Sequence, residues 1–481
     1  MPDRRTFLKT LLGSTAALAA PGLWATGCQQ KTADQAEAAP SLRRTTPTGP
    51  TRTVHLRVEP IEVEVAPGRL YRTWGYNGVF PGPELRVREG EQLQVVVENR
   101  LPEGTTIHWH GVPVPNAMDG VPGLTQDPIA PGETFTYTFV AAPSGSYLYH
   151  SHVGLQLDRG LLGALIIEET TPHVSYDREY TLVLDDFLPE APQPLPAGAP
   201  GMRGRGMMGR GMMGGMRGMM GIQMPPYAGS LINGRLPEAA PVFEVRQGER
   251  IRLRLLNPSG ASTFRFAIAG HPLLVTHADG RPVEPVQVDN LLIGMGERYD
   301  VVIEANNPGR WAIVAIPVEG THSPARAILH YRESRARDLP SGLPETLRGR
   351  TLTYADLRCL EMLPARRPDR TFNLVLSGGM PMAPRWTING QAYPEAEPLE
   401  IVQGERVRFR MINHSMMLHP MHLHGHFFRV GDALKDTVLV LPHMGRISFD
   451  FIADNPGRWF FHCHNLYHLE NGMAREVRYR S

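Results

Sequence analysis

The chain has 481 residues, which is enough for several hydrophobic cores and fits three domains of ordinary size. Its 49 Lys and Arg residues nearly balance its 48 Asp and Glu residues, for a formal net charge of +1. This balance gives no electrostatic attraction for a polyanion, so we expect no nucleic-acid partner.

The first 28 residues have the pattern of a twin-arginine export signal. Arg4 and Arg5 precede a mild apolar run from Leu11 to Ala20. That route exports folded proteins. We therefore predict that residues 1–28 are the signal and that the protein reaches the periplasm or the cell surface.

The residues after the apolar run carry two further predictions. Cys28 ends a stretch that resembles a lipoprotein cleavage box, so a lipid anchor at Cys28 and an unanchored protein are both open alternatives. Residues 29–50 are rich in Ala, Thr, Gln and Pro, which predicts a disordered tether. No later apolar run is long enough to span a membrane.

Three copies of one pattern follow along the chain. Each copy has an Asn-Gly turn and then a stretch of alternating Val, Arg and Leu that ends at a second Asn. The turns are 156 residues apart, at Asn77, Asn233 and Asn389, and the second asparagines are Asn99, Asn257 and Asn413. The repeat predicts an all-β protein of three units, which we place at residues 51–175, 176–340 and 341–481.

The first unit carries two His-x-His pairs. They are His108 with His110, and His150 with His152. Side chains on a strand alternate between its faces, so each pair presents both rings to one face. One such pair is more often an accident than a metal site, but several in one chain reverse those odds.

The second unit opens with a glycine-, arginine- and methionine-rich insertion at residues 201–224. It holds nine of the 21 methionines. Glycine at this density cannot hold a packed helix or strand, which predicts a mobile segment. Thioethers select Cu(I), so the insertion could gather cuprous ions; a low-complexity linker is the alternative. The candidate ligands for Cu(I) are Met207, Met208, Met212 and Met213.

The rest of the second unit is apolar where the outer units carry histidine. Phe266 and Ile268 stand at the repeat positions of His108 and His110. We therefore expect the second unit to be a spacer without a metal site, and the outer units to meet at a shared interface.

The third unit contains the densest cluster of possible ligands. One thiolate, two imidazoles and a weak axial thioether form an electron-transfer copper site, and Cys463, His468 and Met473 supply three of these four. If Cys463 points at one metal, His462 and His464 point together at another, because strand neighbours face opposite ways.

Another run in the third unit carries His419, His422 and His424. If His419 completes the electron-transfer site, eight histidines remain, and eight imidazoles can hold three coppers with open positions for dioxygen. The alternative is a cluster of ordinary core and surface histidines. The eight are His108, His110, His150, His152, His422, His424, His462 and His464.

Four ordered motifs together resemble those of the multicopper oxidases, in particular three-domain laccases and bacterial cuprous oxidases. They are His-Trp-His-Gly, His-Ser-His, His-Pro-x-His-Leu-His-Gly-His and His-Cys-His-x-x-x-His-x-x-x-x-Met. The resemblance runs from residue 52 to residue 481. It implies three cupredoxin-like Greek-key β-sandwiches and four copper ions: one type 1, one type 2 and two type 3.

The resemblance also implies a role for each ligand. His419, Cys463, His468 and Met473 would hold the type 1 copper, and His108 and His422 the type 2 copper. One type 3 copper would take His110, His150 and His464, and the other His152, His424 and His462.

Two acidic residues are candidates for supplying protons. Asp119 matches a carboxylate that relatives place near the cluster, so we nominate it as the proton donor. A turn residue before Gly120 is an equally good interpretation. Some relatives carry a second carboxylate directly after the last type 1 histidine, where this chain has Leu469 and then Glu470, so a second donor is left open.

The resemblance implies an oxidase that couples one-electron oxidations to the four-electron reduction of dioxygen to water. Phenols and Cu(I) are both plausible reductants, and we expect a monomer. Met417 matches a substrate-copper ligand of cuprous oxidases, although Ser415 stands where those enzymes carry an Asp. The alternatives are a copper-storage protein, a relative with decayed sites, and a copper nitrite reductase, which would not need two His-x-His pairs in each metal-bearing unit.

Overall fold

The computed structural model describes residues 45–195, 224–336, 338–339, 342–361, 366–379 and 385–480. The predicted export signal, Cys28, most of the tether and residues 201–223 lie outside this set. Within it, no helix is both long enough and apolar enough to cross a membrane.

The first unit is built from two four-stranded sheets. Its strands are β1 (Thr51–Ala66), β2 (Arg69–Tyr76), β3 (Gly82–Arg88), β4 (Gln92–Asn99), β5 (His108–His110), β6 (Thr134–Val140), β7 (Gly145–His150) and β8 (Leu162–Glu168), with a 3-10 turn at Asn116–Met118. The sheet orders are β2-β1-β4-β6 and β3-β8-β7-β5. Alternate residues of β4, Leu93, Val95 and Val97, are buried, because one face of the strand covers the core.

The second unit has sheets of six and five strands. They contain β9 (Arg178–Phe187), β10 (Gly229–Ile232), β11 (Val242–Val245), β12 (Arg250–Leu256), β13 (Phe264–Ile268), β14 (Leu273–Ala278), β15 (Arg281–Val288), β16 (Asn290–Ile293), β17 (Arg298–Glu304), β18 (Arg310–Pro317) and β19 (Ala325–Tyr331). The orders are β10-β9-β12-β17-β14-β15 and β11-β19-β18-β13-β16. Short 3-10 helices lie at Pro237–Ala239, Glu345–Arg348 and Tyr354–Asp356.

The third unit repeats that plan. Its strands are β20 (Arg370–Ser377), β21 (Thr387–Ile388), β22 (Leu399–Val402), β23 (Arg406–Asn413), β24 (His419–Leu423), β25 (Phe428–Val430), β26 (Ala433–Lys435), β27 (Thr437–Val440), β28 (Arg446–Ile452), β29 (Arg458–Cys463) and β30 (Ala474–Arg480). The orders are β21-β20-β23-β28-β25-β26 and β22-β30-β29-β24-β27. One α-helix, α1 (Leu466–Glu470), follows β29.

All three units share the same mixed topology. Each has one parallel pair in its first sheet, β1 with β4, β9 with β12 and β20 with β23. Each has another in its second sheet, β3 with β8, β11 with β19 and β22 with β30. The prediction of an all-β fold of three cupredoxin-like sandwiches is confirmed. The boundaries near residues 175 and 340 fall between sheets and stay predictions.

The Asn-Gly turns of the repeat have the same conformation in each unit. Asn77, Asn233 and Asn389 have φ of 54°, 50° and 55°, and each following glycine also has a positive φ. Asparagine tolerates this left-handed region, which such a turn requires at both central residues. In each unit the asparagine amide also bonds the neighbouring strand, as Asn233 does with Val183 N and Thr181 O.

The second repeated asparagine ties down the loop that follows its strand. Asn257 Nδ2 donates to Ser262 O and Ile293 O, both at 2.9 Å, and its Oδ1 accepts from Ser259 N. Asn99 and Asn413 make equivalent bonds and are also fully buried. The repeat asparagines are therefore structural, because each pairs main-chain groups that would otherwise be unsatisfied.

Asn257→Ala should lower the free energy of unfolding by about 1–3 kcal/mol, because the substitution leaves buried main-chain groups without partners. Denaturant unfolding followed by tryptophan fluorescence measures this loss. Asn306→Ala is the matched control, because Asn306 is exposed. A loss no larger than that of the control would contradict the structural role.

Candidate metal centres

The His-x-His pairs of each outer unit lie side by side on adjacent strands. In the first unit, β5 and β7 are antiparallel partners, and His108 lies opposite His150. In the third unit, β24 and β29 are antiparallel partners, and His422 lies opposite His462. Strand pairing therefore gathers four histidines from each outer unit into one patch.

The two patches face each other across the interface between the outer units. The rings of His108 and His424 stack with centroids 3.8 Å apart, and those of His110 and His422 do the same at 3.8 Å. No residue of this cluster comes from the middle unit. There, Phe266 and Ile268, at the repeat positions of His108 and His110, are fully buried in the core.

Within the cluster, the predicted type 3 trios form compact groups. The rings of His152, His424 and His462 are 5.1 Å apart in all three pairs, and their ligand atoms lie within 4.8 Å of one another. In the other trio, the His464 ring lies 4.8 Å from that of His110 and 5.3 Å from that of His150.

The hydrogen bonding leaves one nitrogen of most cluster rings without a partner. His108, His150 and His422 each bond a main-chain carbonyl through Nδ1. A carbonyl only accepts, so Nδ1 carries the proton and Nε2 keeps a lone pair. The buried ring nitrogens without hydrogen bonds are Nε2 of His108, His150, His152 and His422, Nδ1 of His110, and both nitrogens of His464.

Two of the cluster rings point lone pairs of electrons at each other. His424 Nε2 and His462 Nε2 lie 3.0 Å apart. His424 uses Nδ1 toward Asp119 Oδ2 at 2.9 Å, and His462 uses Nδ1 toward Cys463 O at 3.0 Å. Both Nε2 atoms therefore present lone pairs to each other, an arrangement that a shared cation stabilises. The donor set fits a metal cluster of imidazole-binding ions.

Burial keeps these imidazoles neutral. Burial, together with the neighbouring His108, lowers the pKa of His150 to about 3. Burial and adjacent histidines also hold the pKa of His152, His424, His462 and His464 well below the usual value. Neutral imidazole is the form that binds metal.

A second centre lies on the other face of β29. Cys463 Sγ is 3.5 Å from His419 Nδ1 and 3.5 Å from His468 Nδ1, and the two nitrogens are 3.1 Å apart. Met473 is fully buried, and its carbonyl accepts from Cys463 N at 3.0 Å. The structure thus brings together the thiol of Cys463 and the imidazoles of His419 and His468. Met473 is joined to Cys463 by the main-chain hydrogen bond.

The thiol needs a metal to lose its proton. Burial raises the pKa of Cys463 far above its usual value. A metal bound at Sγ would therefore displace a proton, since thiolate is the ligand form. Burial also lowers the pKa of His419 to about 3, which keeps its Nδ1 available.

Sequence reasoning missed one neighbour of this centre, Trp386, and missed the contact that a second, Ser415, makes. The Trp386 ring lies 4.0 Å from that of His468. Ser415 Oγ lies 2.7 Å from His419 Nε2 and donates to Asn413 Oδ1, so it accepts the Nε2 proton and turns Nδ1 toward Cys463. Ser415 therefore orients one of the two imidazoles that face Cys463. The signal that the sequence offered for this role of Ser415 was its closeness to the repeat asparagine, Asn413.

Asp119 lies inside the cluster and is fully buried. Its carbonyl accepts from His108 Nδ1 at 2.8 Å, and its Oδ2 lies 2.9 Å from His424 Nδ1. Asp119 also ends the 3-10 turn before Gly120, as the turn interpretation expects, and its role as proton donor stays a prediction. Glu470, by contrast, is exposed at the end of α1.

The remaining sulfur and imidazole residues divide between surface and core. Met417 is 4% exposed and belongs to the hydrophobic core, whereas Met416 and Met444 are exposed.

His426 is buried and bonds His424 O and Tyr479, while His414 and His443 are exposed. Cys359 is a free, partly buried thiol. The methionines at 207, 208, 212 and 213 lie outside the described residues.

A buried acidic pocket lies behind α1. Tyr467, between His464 and His468 in sequence, donates to Asp158 Oδ2, and Tyr227 donates to Asp158 Oδ1 at 3.2 Å. Burial and nearby Asp186 raise the pKa of Asp158 to about 7, although these hydrogen bonds oppose the shift. The three residues come from three different units.

Asp158 should make stability depend on pH. Its folded pKa of about 7 exceeds the reference value of 3.8, so the folded state prefers the protonated form. Its contribution is therefore full below the reference value and is lost as pH rises through about 7. We expect Asp158→Asn to be relatively more stable at about pH 8 than at about pH 4, compared with wild type. Thermal unfolding of both proteins across this range measures the difference, and parallel curves would contradict it.

Three family models, each described as multicopper oxidase, match residues 57–172, 202–334 and 366–481. The chain is 39% identical to the multicopper oxidase MmcO of Mycobacterium tuberculosis over 502 residues, which cover 99% of this chain and 96% of that protein. It is 32% identical to copper resistance protein A of Escherichia coli, over 84% of this chain and 88% of that protein.

Solved structures agree with these sequence matches. The crystal structure of a laccase from Botrytis aclada superposes with a TM-score of 0.75 at 28% identity, over 90% of this chain and 88% of that one. The three family models fall in the three units, and the first and third include every residue of both candidate centres. The chain therefore belongs to the multicopper oxidase family.

Proposed function

We propose that the protein is a four-copper oxidase that takes electrons singly from phenols, Cu(I) or both, and reduces dioxygen to water. Family membership makes it a copper-dependent oxidoreductase that couples substrate oxidation to the reduction of dioxygen. The observation that carries the proposal is the cluster of eight histidines, six of which have ring nitrogens without hydrogen-bond partners. Two of the eight, His462 and His464, flank Cys463 in sequence. Intact ligand sets of this kind argue against decayed sites.

The ligand roles implied by the sequence are kept in this proposal. The type 1 copper is assigned to His419, Cys463, His468 and Met473, and the type 2 copper to His108 and His422. The type 3 coppers are assigned to His110, His150 and His464, and to His152, His424 and His462. When bound, these ions supply one-electron oxidation at the type 1 site and dioxygen reduction at the cluster.

The chain provides a short covalent path between the two centres. Cys463 contributes its thiol to one centre, and its sequence neighbours His462 and His464 contribute imidazoles to the other. Electrons can therefore pass through bonded atoms of one tripeptide. Asp119, with a carboxylate oxygen against His424, is the group that we assign to proton delivery at the cluster.

The identity of the reductant is supported only in part by the site. Met417 is packed in the core and Ser415 is engaged with His419, so neither supports a substrate-copper site at these positions. A relative named copper resistance protein A favours copper as one substrate. We further propose export by the twin-arginine route, lipid attachment at Cys28 as an open alternative, and a monomeric enzyme.

Copper content and oxygen uptake of the copper-loaded protein test the proposal. Four coppers per chain, with oxygen consumed on a phenol or on Cu(I), are the expected result. Fewer than four coppers with no uptake on either reductant would overturn the proposal in favour of a storage protein.

A substitution that preserves length tests the methionine-rich segment. Changing Met207, Met208, Met212 and Met213 to leucine keeps similar volume and apolar character but removes the thioethers that bind Cu(I). We expect slower Cu(I) oxidation and unchanged phenol oxidation, measured as oxygen uptake on each reductant. Equal rates of Cu(I) oxidation in the two proteins would make the segment a linker.

A further inference from the structure

Two aspartates hold the cluster ligands in a crossed arrangement. Asp119, in the first unit, accepts from His108 of its own unit through its carbonyl and contacts His424 of the third unit through its carboxylate. Asp436, in the third unit, accepts from His422 of its own unit through its carbonyl at 2.9 Å. Its carboxylate Oδ1 lies 3.3 Å from Nε2 of His110 in the first unit.

The hydrogen bonding of His110 differs from that of the other histidines in this arrangement. Its Nε2 faces both Asp436 Oδ1 and Thr437 Oγ1, at 3.3 and 3.2 Å, whereas its Nδ1 has no hydrogen bond. His108, His150 and His422 show the reverse, with Nδ1 bonded and Nε2 unpartnered. The nitrogen that a ring offers to metal follows from the partner of the other nitrogen.

Asp436 is in turn fixed by the middle unit. Arg298 makes a two-pronged contact with it, Nη1 to Oδ1 at 2.7 Å and Nη2 to Oδ2 at 2.6 Å. Both groups are buried, with exposures of 0% and 1%. Paired N–H donors of this kind fix the plane of a carboxylate as well as its position. Arg298 Nε also donates to Ser146 O of the first unit, at 3.1 Å.

The packing around Asp436 and Arg298 is close. Gly111, next to His110, approaches so closely that an added Cβ would lie 2.6 Å from Asp436 Oδ2. Asp279 of the middle unit accepts from the main-chain N–H groups of Asp436 and Thr437, both at 3.2 Å. Side chain and backbone of Asp436 are thus both held by a unit that supplies no ligand.

We propose that Asp436 is a positioning residue that makes His110 bind its type 3 copper through Nδ1, and that Arg298 of the middle unit holds it in place. The middle unit therefore takes part in building the cluster. This inference rests on the proposed ligand roles. The Asp436 carboxylate also lies 3.5 Å from His422 Nδ1, but His422 keeps its 2.9 Å bond to the main-chain carbonyl when the side chain is changed. The substitution therefore acts mainly on His110.

The test compares Asp436→Asn with Asp300→Asn. In Asp436→Asn the amide cannot accept from both prongs of Arg298, so the side chain loses its fixed orientation. Asp300 is the matched control, because it is equally buried and paired with Arg252 and Arg254 of the middle unit, but it contacts no cluster histidine. Arg298→Lys is a second variant that keeps the charge and removes the two-pronged contact.

Copper retention under increasing chelator concentration is the readout, followed by copper analysis, the visible type 1 band and the near-ultraviolet absorption of the coupled copper pair. We expect Asp436→Asn to lose cluster copper about 10- to 100-fold more readily than wild type while the type 1 band persists. Arg298→Lys should change in the same direction, and Asp300→Asn should retain copper like wild type.

Two results would overturn the inference. One is retention of the coupled pair by both Asp436→Asn and Arg298→Lys at wild-type chelator concentrations. The other is simultaneous loss of type 1 and cluster copper in all three variants, which is the signature of general destabilisation. Wild-type protein that binds fewer than four coppers would instead refute the proposed function, so the two failures are distinguishable.

Discussion

Cys463→Ser should abolish the visible type 1 band and reduce substrate-driven oxygen uptake to that of copper-free protein. A serine oxygen is a hard ligand that does not replace thiolate in a site of this type. The two imidazoles that remain, His419 and His468, lie 3.1 Å apart at Nδ1 and lack the third strong ligand. Visible absorption, copper analysis and oxygen uptake on phenol and Cu(I) measure the effect.

The cluster should survive that substitution. His462 and His464 lie on the opposite side of the strand from Sγ, and His462 is held by Nδ1 on the Cys463 carbonyl, which serine retains. We therefore expect the cluster copper to be kept. Cys359→Ser is the matched control, because among the described residues this thiol accepts a hydrogen bond from Glu361 N and not from a histidine of either centre. It should leave colour and turnover unchanged. Oxygen uptake by Cys463→Ser at the wild-type rate would show that electrons enter elsewhere.

Much of the fold and many candidate ligands could be predicted, because both depend on motifs within short stretches of sequence. The Asn-Gly turns can be recognised in the sequence, because only a few residue types adopt a positive φ readily. Likewise, strand alternation separates Cys463 from His462 and His464 without knowledge of the tertiary structure. In the same way, Phe266 and Ile268 stand where the outer units carry histidine, so the prediction that the middle unit supplies no cluster ligand needs only the repeat.

The parts that could not be predicted depend on contacts between distant residues. Nothing in the run Lys435-Asp436-Thr437 signals that its aspartate meets His110, which is 326 residues away in sequence. Likewise, nothing in the repeat position of Trp386 indicates that its ring packs on that of His468. Sequence spacing identifies ligands, whereas the partners that orient them are chosen by packing between units.

Asp119→Asn should lower the turnover number by about 10²- to 10⁴-fold, because the amide cannot supply a proton. The amide oxygen can still accept from His424 Nδ1, and the main-chain carbonyl still accepts from His108, so the copper content should stay at the wild-type value. Anaerobic reduction of the type 1 centre should proceed at the normal rate, while reoxidation by dioxygen slows. Stopped-flow absorption of the type 1 band separates the two half-reactions.

Asp127→Asn is the matched control, since Asp127 is exposed and lies only eight residues further along the chain. Equal slowing of reduction and reoxidation in Asp119→Asn, or loss of cluster copper, would assign Asp119 to positioning instead of proton delivery.

The two buried aspartates thus predict opposite phenotypes for the same substitution. Asp436 has both carboxylate oxygens engaged by Arg298, so it is suited to holding a ligand in place. Asp119 keeps one oxygen without a hydrogen bond, and no arginine is paired with it among the ion pairs of the described residues. A carboxylate with a spare oxygen beside the cluster can take up and release a proton, whereas one held on both oxygens cannot do so without breaking its contacts. Copper loss from Asp436→Asn and slow reoxidation of Asp119→Asn would separate the two roles in one pair of measurements.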